Sequence, residues 1–220
     1  REALELLAST VDKGNRESWI RYIDDLKGDS AVRDIQHIPD SGHLYAAHVM
    51  HDLWRYTDGK ALIVTDVGQH QMWEAQYYKH DYPRKLLTSG GLGTMGFALP
   101  AAIGAKFSMP NENVWAIVGD GGFQMTQAEL ATAAQEGIKI NLAIINNGYL
   151  GMVRQWQEFF YESRYSATPL HNPDFVKLAE AHGLAGRSVE RREDVEDAVR
   201  WAHEEIGTVL LDFRVEREDV

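Results

Sequence analysis

Short apolar runs alternate with mixed segments along most of the chain. Continuous apolar runs of four to eight residues are typical of strands buried on both faces of a sheet. Five such runs predict strands, at residues 61–66, 85–88, 114–118, 140–145 and 208–215. Strands alternating with helices indicate βαβ units. We therefore expect an α/β fold with a doubly wound, mostly parallel six-stranded sheet and helices on both faces.

The segments between these runs carry the spacing of helices. Helices are predicted at residues 44–56, 97–107, 126–136 and 194–205. A further helix is expected to open at Asn172-Pro173-Asp174, with Asn172 as its N-cap and Pro173 at its first position.

The first 35 residues differ from this regular part. Leu4, Leu6 and Leu7 suggest one helix and residues 16–26 a second, followed by a polar linker at 27–34. We predict two parts: residues 1–35, the tail of a preceding domain with its linker, and residues 36–220, a cofactor-binding domain. The chain does not begin with Met, and we expect it to be a piece of a longer protein.

Composition narrows the classes of partner. The formal net charge of −11 argues against nucleic acid and anionic membrane surfaces, since both select basic proteins. Cysteine is absent, so any metal would be held by oxygen or imidazole ligands. No apolar run approaches the roughly 20 residues of a membrane helix. We expect a cytoplasmic protein with no membrane partner.

Three polar or glycine-rich clusters follow predicted strands, at residues 67–70, 119–122 and 146–151. Ligands of open α/β sheets bind outside the carboxyl ends of the strands. Parallel strands bring those ends to one edge, so we expect the three clusters to form a single site.

The second cluster, Gly119-Asp120-Gly121-Gly122, suits a phosphate because glycine lets backbone N–H groups approach it. Asp120 would repel a bare phosphate, and a divalent cation between them removes the conflict. Mg²⁺ commonly uses one or two carboxylate or amide oxygens plus substrate phosphates. Asn147 could supply the amide from the end of the next strand. Each motif alone also fits a plain turn, and the whole pattern also fits a flavodoxin-like nucleotide or diphosphate binder.

The pair Gly119-Asp120-Gly121 and Asn146-Asn147 resembles the metal signature of thiamin-diphosphate enzymes. The resemblance implies Mg²⁺ ligands at Asp120, Asn147 and the main-chain oxygen of Tyr149. Three further stretches, at 68–73, 89–96 and 151–157, resemble the catalytic subunits of acetolactate (acetohydroxyacid) synthases. Together these motifs span roughly residues 40 to 215, and the run at 151–157 is the most specific.

The resemblance also implies roles for individual side chains. Met95 would be the apolar wedge that bends the cofactor, and the Gly93 carbonyl would accept a hydrogen bond from the cofactor's amino group. Without the resemblance, Met95 fits a core position by its residue type, Trp156 fits a buried helix face by its spacing, and His70 fits a core or surface histidine. The implied substrate residues are Met152, Val153 and Trp156. The implied cofactor residues are Val67, Gly68, Gln69, His70, Gly93, Met95, Gly119, Asp120, Gly121, Gly122, Asn147, Tyr149, Leu150, Gly151, Met152 and Val153.

The activity implied is a carboligation in branched-chain amino acid biosynthesis. Pyruvate would be decarboxylated and its two-carbon unit added to a second 2-keto acid, giving 2-acetolactate or 2-aceto-2-hydroxybutyrate. A related 2-keto acid decarboxylase or a glyoxylate carboligase is the alternative. The activating glutamate is expected on an N-terminal domain and FAD mainly on a middle domain, so the isolated chain should be inactive. A homodimer or homotetramer and a small regulatory subunit are also implied.

Overall fold

The computed structural model describes residues 1–12, 14–27 and 42–217. The chain divides into two compact units, Arg1–Pro39 and Asp40–Val220. The first unit contains the two predicted helices, α1 (Glu2–Thr10) and α2 (Glu17–Lys27). Apart from Lys27, the predicted linker lies outside the described residues, as does the predicted boundary at residue 35.

The second unit is built on a six-stranded sheet in which every pairing is parallel. The strand order is β2-β1-β3-β4-β6-β5, which confirms the predicted α/β fold class. The strands are β1 (Leu62–Thr65), β2 (Leu86–Thr88), β3 (Val114–Gly119), β4 (Asn141–Asn146), β5 (Ala185–Val189) and β6 (Val209–Arg214).

Helices cover both faces of the sheet. Strand residues alternate between the faces, so that Ile63 and Trp115 pack on one side while Leu62 and Val114 pack on the other. The first face is covered by α3 (Ala46–Thr57), α4 (Gln69–Tyr77) and α10 (Val195–Glu204). The second is covered by α5 (Ala98–Ser108), α6 (Asp120–Thr126), α7 (Leu130–Gln135) and α9 (Phe175–Ala181). The remaining helix, α8 (Gly151–Phe160), follows β4. No helix in the described parts of the chain is long and apolar enough to cross a membrane.

Two helix starts differ from the predictions. Of the cluster at 119–122, only Gly119 lies in the turn, because α6 already begins at Asp120. The helix predicted at 126–136 is instead a 3₁₀ turn followed by α7. Asn172 is not an N-cap. Asp174 caps α9 instead, accepting a 3.1 Å hydrogen bond from the Lys177 backbone N–H, because the Asn172 amide is engaged elsewhere, as described below.

The strand order creates a crevice at the carboxyl ends of β1 and β3. From β1 the chain moves outward to β2 and then returns to the opposite side of β1 to form β3. The segments that follow β1 and β3 therefore run in opposite directions away from the carboxyl ends of these strands, and an opening is left between them. Such a switch point is the usual ligand site of a doubly wound sheet.

Candidate functional site

A cleft at the switch point is lined by four segments of the chain. They are the start of α4, the turn before α5, the turn from β3 into α6, and the turn from β4 into α8. Every predicted cofactor residue except Gly93 lines this cleft: Val67, Gly68, Gln69, His70, Met95, Gly119, Asp120, Gly121, Gly122, Asn147, Tyr149, Leu150, Gly151, Met152 and Val153. Trp73 and Ile145 also line it and were not predicted.

Gly93 and Trp156 do not line the cleft. Gly93 lies on the turn before Met95, in the left-handed region with φ of 65°. Trp156 projects from α8 and is 57 % exposed, so its reading as a buried helix residue is wrong. It borders a separate surface hollow that also includes Val153. Because Val153 borders both, the hollow lies next to the cleft along the first turns of α8.

Asp120 is a buried carboxylate at the start of α6. It is 2 % exposed, and its Oδ2 accepts hydrogen bonds from the Gly148 backbone N–H at 3.0 Å and the Asn172 amide at 2.7 Å. Burial raises the pKa of Asp120 to about 6, although these hydrogen bonds oppose the shift. Within the described ranges no lysine or arginine forms an ion pair with it. The carboxylate is thus oriented by neutral donors and keeps its charge.

Asn147 follows β4 and lines the same cleft as Asp120, and the next residue, Gly148, donates its backbone N–H to Asp120. Gly148 has φ of 73°, a left-handed conformation that glycine adopts at little cost. The Asn147 side chain accepts from the Tyr149 N–H and donates to Gln69 Oε1, both at 3.1 Å. Across the described residues, no group of three or more His, Asp or Glu could hold a metal. A cation here would therefore need amide or main-chain oxygens beside Asp120.

Glycines let the segments around the cleft approach closely. A Cβ on Gly121 would lie 2.8 Å from a methyl of Leu150, and one on Gly119 would lie 2.7 Å from Nδ1 of His70. Both distances are shorter than side chains tolerate. The turn from β3 into α6 therefore packs directly against α4 and against the turn before α8.

His70 is a buried polar group facing the cleft. It is 6 % exposed, and burial lowers its pKa to about 3, so the ring is neutral near pH 7. Its Nε2 atom has no hydrogen-bond partner among the described residues. A buried polar atom without a partner is uncommon, which marks His70 as an unusual member of the cleft lining.

Asp66, which the sequence did not single out, fixes the turn that carries Met95. It is fully buried and its carboxylate accepts from the backbone N–H groups of Val67 at 2.9 Å, Gly96 at 2.8 Å and Phe97 at 3.3 Å. The Gly96 and Phe97 bonds hold the backbone just after Met95 against the end of β1. The only sequence signal was a carboxylate directly before the cluster at 67–70.

A doubly wound parallel sheet with a cleft at its switch point defines an α/β domain of the ligand-binding kind. Residues 66–213 match the family described as "Thiamine pyrophosphate enzyme, C-terminal TPP binding domain". The chain belongs to this family, whose domain binds thiamin diphosphate.

Several relatives of this chain carry a more specific name. It is 53 % identical over 204 residues to the acetolactate synthase of Mycobacterium bovis, covering 90 % of the chain and 32 % of the relative. It is 46 % identical over 224 residues to the acetolactate synthase large subunit of Corynebacterium glutamicum, covering 98 % and 36 %. With the Lactococcus lactis large subunit it shares 62 % identity over 130 residues, 59 % of the chain and 23 % of the relative. The chain spans about a third of the length of the first two.

Proposed function

We propose that this chain is the cofactor-anchoring domain of an acetolactate synthase, with Mg²⁺ held by Asp120, Asn147 and the main-chain oxygen of Tyr149. The observation that carries the metal site is the buried Asp120 carboxylate, which lies in the cleft beside an amide and has only neutral donors around it. Carboxylate, amide and carbonyl oxygens suit Mg²⁺, whose remaining positions are commonly filled by phosphate and water.

The same cleft offers neutral donors for a diphosphate. Helices α4 and α8 both begin at it, at Gln69 and Gly151. The first backbone N–H groups of a helix have no partner within the helix and favour negative charge. His70 also lines the cleft, and its neutral ring can donate one hydrogen bond from the nitrogen that carries the proton. These groups and the metal together would offset the charge of a diphosphate, and no lysine or arginine of the described residues lines the cleft.

Apolar residues around the cleft fit the organic part of the cofactor. Met95, Trp73 and Ile145 line it together with Leu150. The Met95 terminal methyl carbon lies 3.9 Å from the Cβ position of Gly121, so it reaches across from the turn that Asp66 fixes. We infer that Met95 supports the bent cofactor from below, with the Gly93 carbonyl accepting a hydrogen bond from its amino group.

Thiamin diphosphate, when bound, supplies a nucleophilic carbon and an electron sink for decarboxylating a 2-keto acid. The protein's part is to orient the reactants and to exclude water from them. Met152 and Val153 border the cleft at the start of α8. Together with Trp156 they would form the passage for pyruvate and for the acceptor 2-keto acid. The names of the relatives favour 2-acetolactate or 2-aceto-2-hydroxybutyrate as the product.

The remaining features of the full enzyme belong to the same proposal. We expect the glutamate that activates the cofactor and most of the FAD site on other domains. We also expect a homodimer or homotetramer that associates with a small regulatory subunit. No residue of this chain is assigned to these roles.

Product analysis and calorimetry test the proposal. With pyruvate, the purified native protein should form acetolactate, whereas release of acetaldehyde would indicate a simple decarboxylase. With glyoxylate, formation of tartronate semialdehyde would indicate a glyoxylate carboligase. Titration with thiamin diphosphate should show heat only when Mg²⁺ is present, and Asp120→Ala should abolish it. Asp174→Ala, which removes an exposed carboxylate, is the control and should bind normally. A protein that binds ordinary nucleotides equally well without Mg²⁺ would contradict the proposal.

A further inference from the structure

The side-chain amide of Asn172 is fully engaged beside the proposed metal site. Its Nδ2 group donates to Asp120 Oδ2 at 2.7 Å and to Asn146 Oδ1 at 2.9 Å. Its Oδ1 atom accepts from Gln124 Nε2 at 2.8 Å. Because Nδ2 faces two acceptors and Oδ1 faces a donor, the orientation of the amide is fixed by its neighbours.

Through hydrogen bonds, this amide links the loop before α9 to helix α6 and to strand β4. Gln124 lies in α6 and Asn146 ends β4. The Asn146 amide in turn donates to Oδ1 of Asp212 in β6 at 2.9 Å. Four side chains thus form one continuous hydrogen-bonded chain from α6 across the carboxyl edge of the sheet. Asp120 is attached to it through Oδ2.

The nature of the donor matters for a cation site. Lysine or arginine at position 172 would also orient Asp120, but its positive charge would compete with a metal ion for the carboxylate. A neutral amide holds Oδ2 in place and leaves the full negative charge available. Groups that orient metal ligands in this way typically change metal affinity by 10- to 100-fold when they are removed.

We propose that Asn172 is a positioning residue for Asp120, which sets the direction of the carboxylate towards the divalent cation. The inference rests on the proposed function, since it requires that Asp120 be a metal ligand. A purely structural role, such as starting α9, is the competing explanation, and Asp174 already serves as the cap of that helix.

The test measures cofactor assembly rather than turnover. In the purified native protein, MgCl₂ is titrated at a fixed concentration of thiamin diphosphate, and binding is followed by tryptophan fluorescence, since Trp73 lines the cleft. Asn172→Ala should raise the half-saturating Mg²⁺ concentration by about ten-fold or more. Asn172→Asp keeps the shape but places a second carboxylate against Asp120, and should raise it at least as far at neutral pH.

Asp174→Ala is the matched control on the same loop. It removes the helix cap and should lower Tm in the absence of ligands, while leaving the half-saturating Mg²⁺ concentration unchanged. An Asn172→Ala protein with wild-type Mg²⁺ dependence would overturn the inference, as would an equal loss of Mg²⁺ affinity in Asp174→Ala. Tighter Mg²⁺ binding by Asn172→Asp would also overturn it. If the wild type binds thiamin diphosphate without any Mg²⁺ dependence, the proposed metal site itself is wrong.

Discussion

Replacing Asp120 with asparagine should stabilise the metal-free protein while it abolishes metal binding. Asparagine can place its carbonyl oxygen where Oδ2 now accepts from Gly148 and Asn172. The substitution keeps these two hydrogen bonds and removes the buried charge, but it leaves one oxygen fewer to accept from the backbone N–H groups of Asp120 and Gly121, which also stabilise the carboxylate. Burial makes that charge unfavourable in the native structure. It therefore raises the pKa of Asp120 to about 6 from its ordinary value of 3.8.

The size of the effect follows from this difference in pKa. Two pKa units correspond to about 3 kcal/mol, and the carboxylate is 2 % exposed, so solvent screens it little. Between about pH 4 and pH 6 the folded state binds the proton while the unfolded state has lost it. The free energy of unfolding of the wild type therefore falls as pH rises through this window and stays low above it. Asp120→Asn has no carboxyl group at this position, so it does not lose this stability as pH rises.

Urea unfolding of both proteins at several pH values, with a chelator present, measures this difference. The stability of Asp120→Asn relative to the wild type should rise by about 3 kcal/mol between about pH 4 and about pH 8. Adding Mg²⁺ and thiamin diphosphate should restore the wild type and leave the variant unchanged. A difference that does not depend on pH, or a variant less stable than the wild type at pH 8, would refute the reasoning.

Two further predictions concern packing and a second buried group. Gly122→Ala would place its Cβ 2.4 Å from Asp66 Oδ2, which the Gly96 N–H holds, so Tm should fall. Gly104→Ala, in an open position within α5, should instead stabilise by about 0.5–1 kcal/mol. Burial raises the pKa of Tyr78 to about 12, so the unfolded state ionises first and stability should fall above about pH 10. Tyr78→Phe should lessen that alkaline loss in urea unfolding, and an unchanged pH dependence would contradict it.

The central strands could be predicted from sequence because both of their faces are buried. A strand covered on both sides needs apolar residues at every position, and β3 and β4 satisfy this requirement almost throughout. Strand β5 was missed because it lies at the edge of the sheet and consists of Ala-Gly-Arg-Ser-Val. Its position depends on pairing with β6, which no local pattern reveals.

Helix α6 was missed for a related reason. Its first turn contains Gly121 and Gly122, which disfavour helices in isolation. Tertiary packing outweighs that propensity, since Phe123 is fully buried and meets Phe175 edge to face at 5.4 Å. In α8 the sequence pattern misled in a different sense. The spacing of aromatic residues predicted a buried face, but Trp156 is mostly exposed.

The cleft itself was largely predictable, whereas its supporting residues were not. Glycine and polar clusters directly after apolar strands identify a shared edge without any knowledge of contacts. Asn172 and Asp66 act through partners 52 and 30 residues away. Asn172 also stood before a proline, where a helix cap was the simplest local interpretation. Only the folded chain shows that its amide reaches Asp120 instead.

The environment of Asp120 explains why stability and ligand binding should oppose each other at this site. A lysine or arginine partner would lower the cost of burying the carboxylate, but it would also neutralise the charge that attracts a divalent cation. Neutral donors orient the carboxylate but do not lower the free-energy cost of burying its charge, and this cost remains until a cation binds. The energy that the metal-free fold loses at neutral pH is then recovered on assembly with Mg²⁺ and thiamin diphosphate, which links folding to binding. A residue selected only for the fold would not show this pattern, because its neutral analogue would not be the more stable protein.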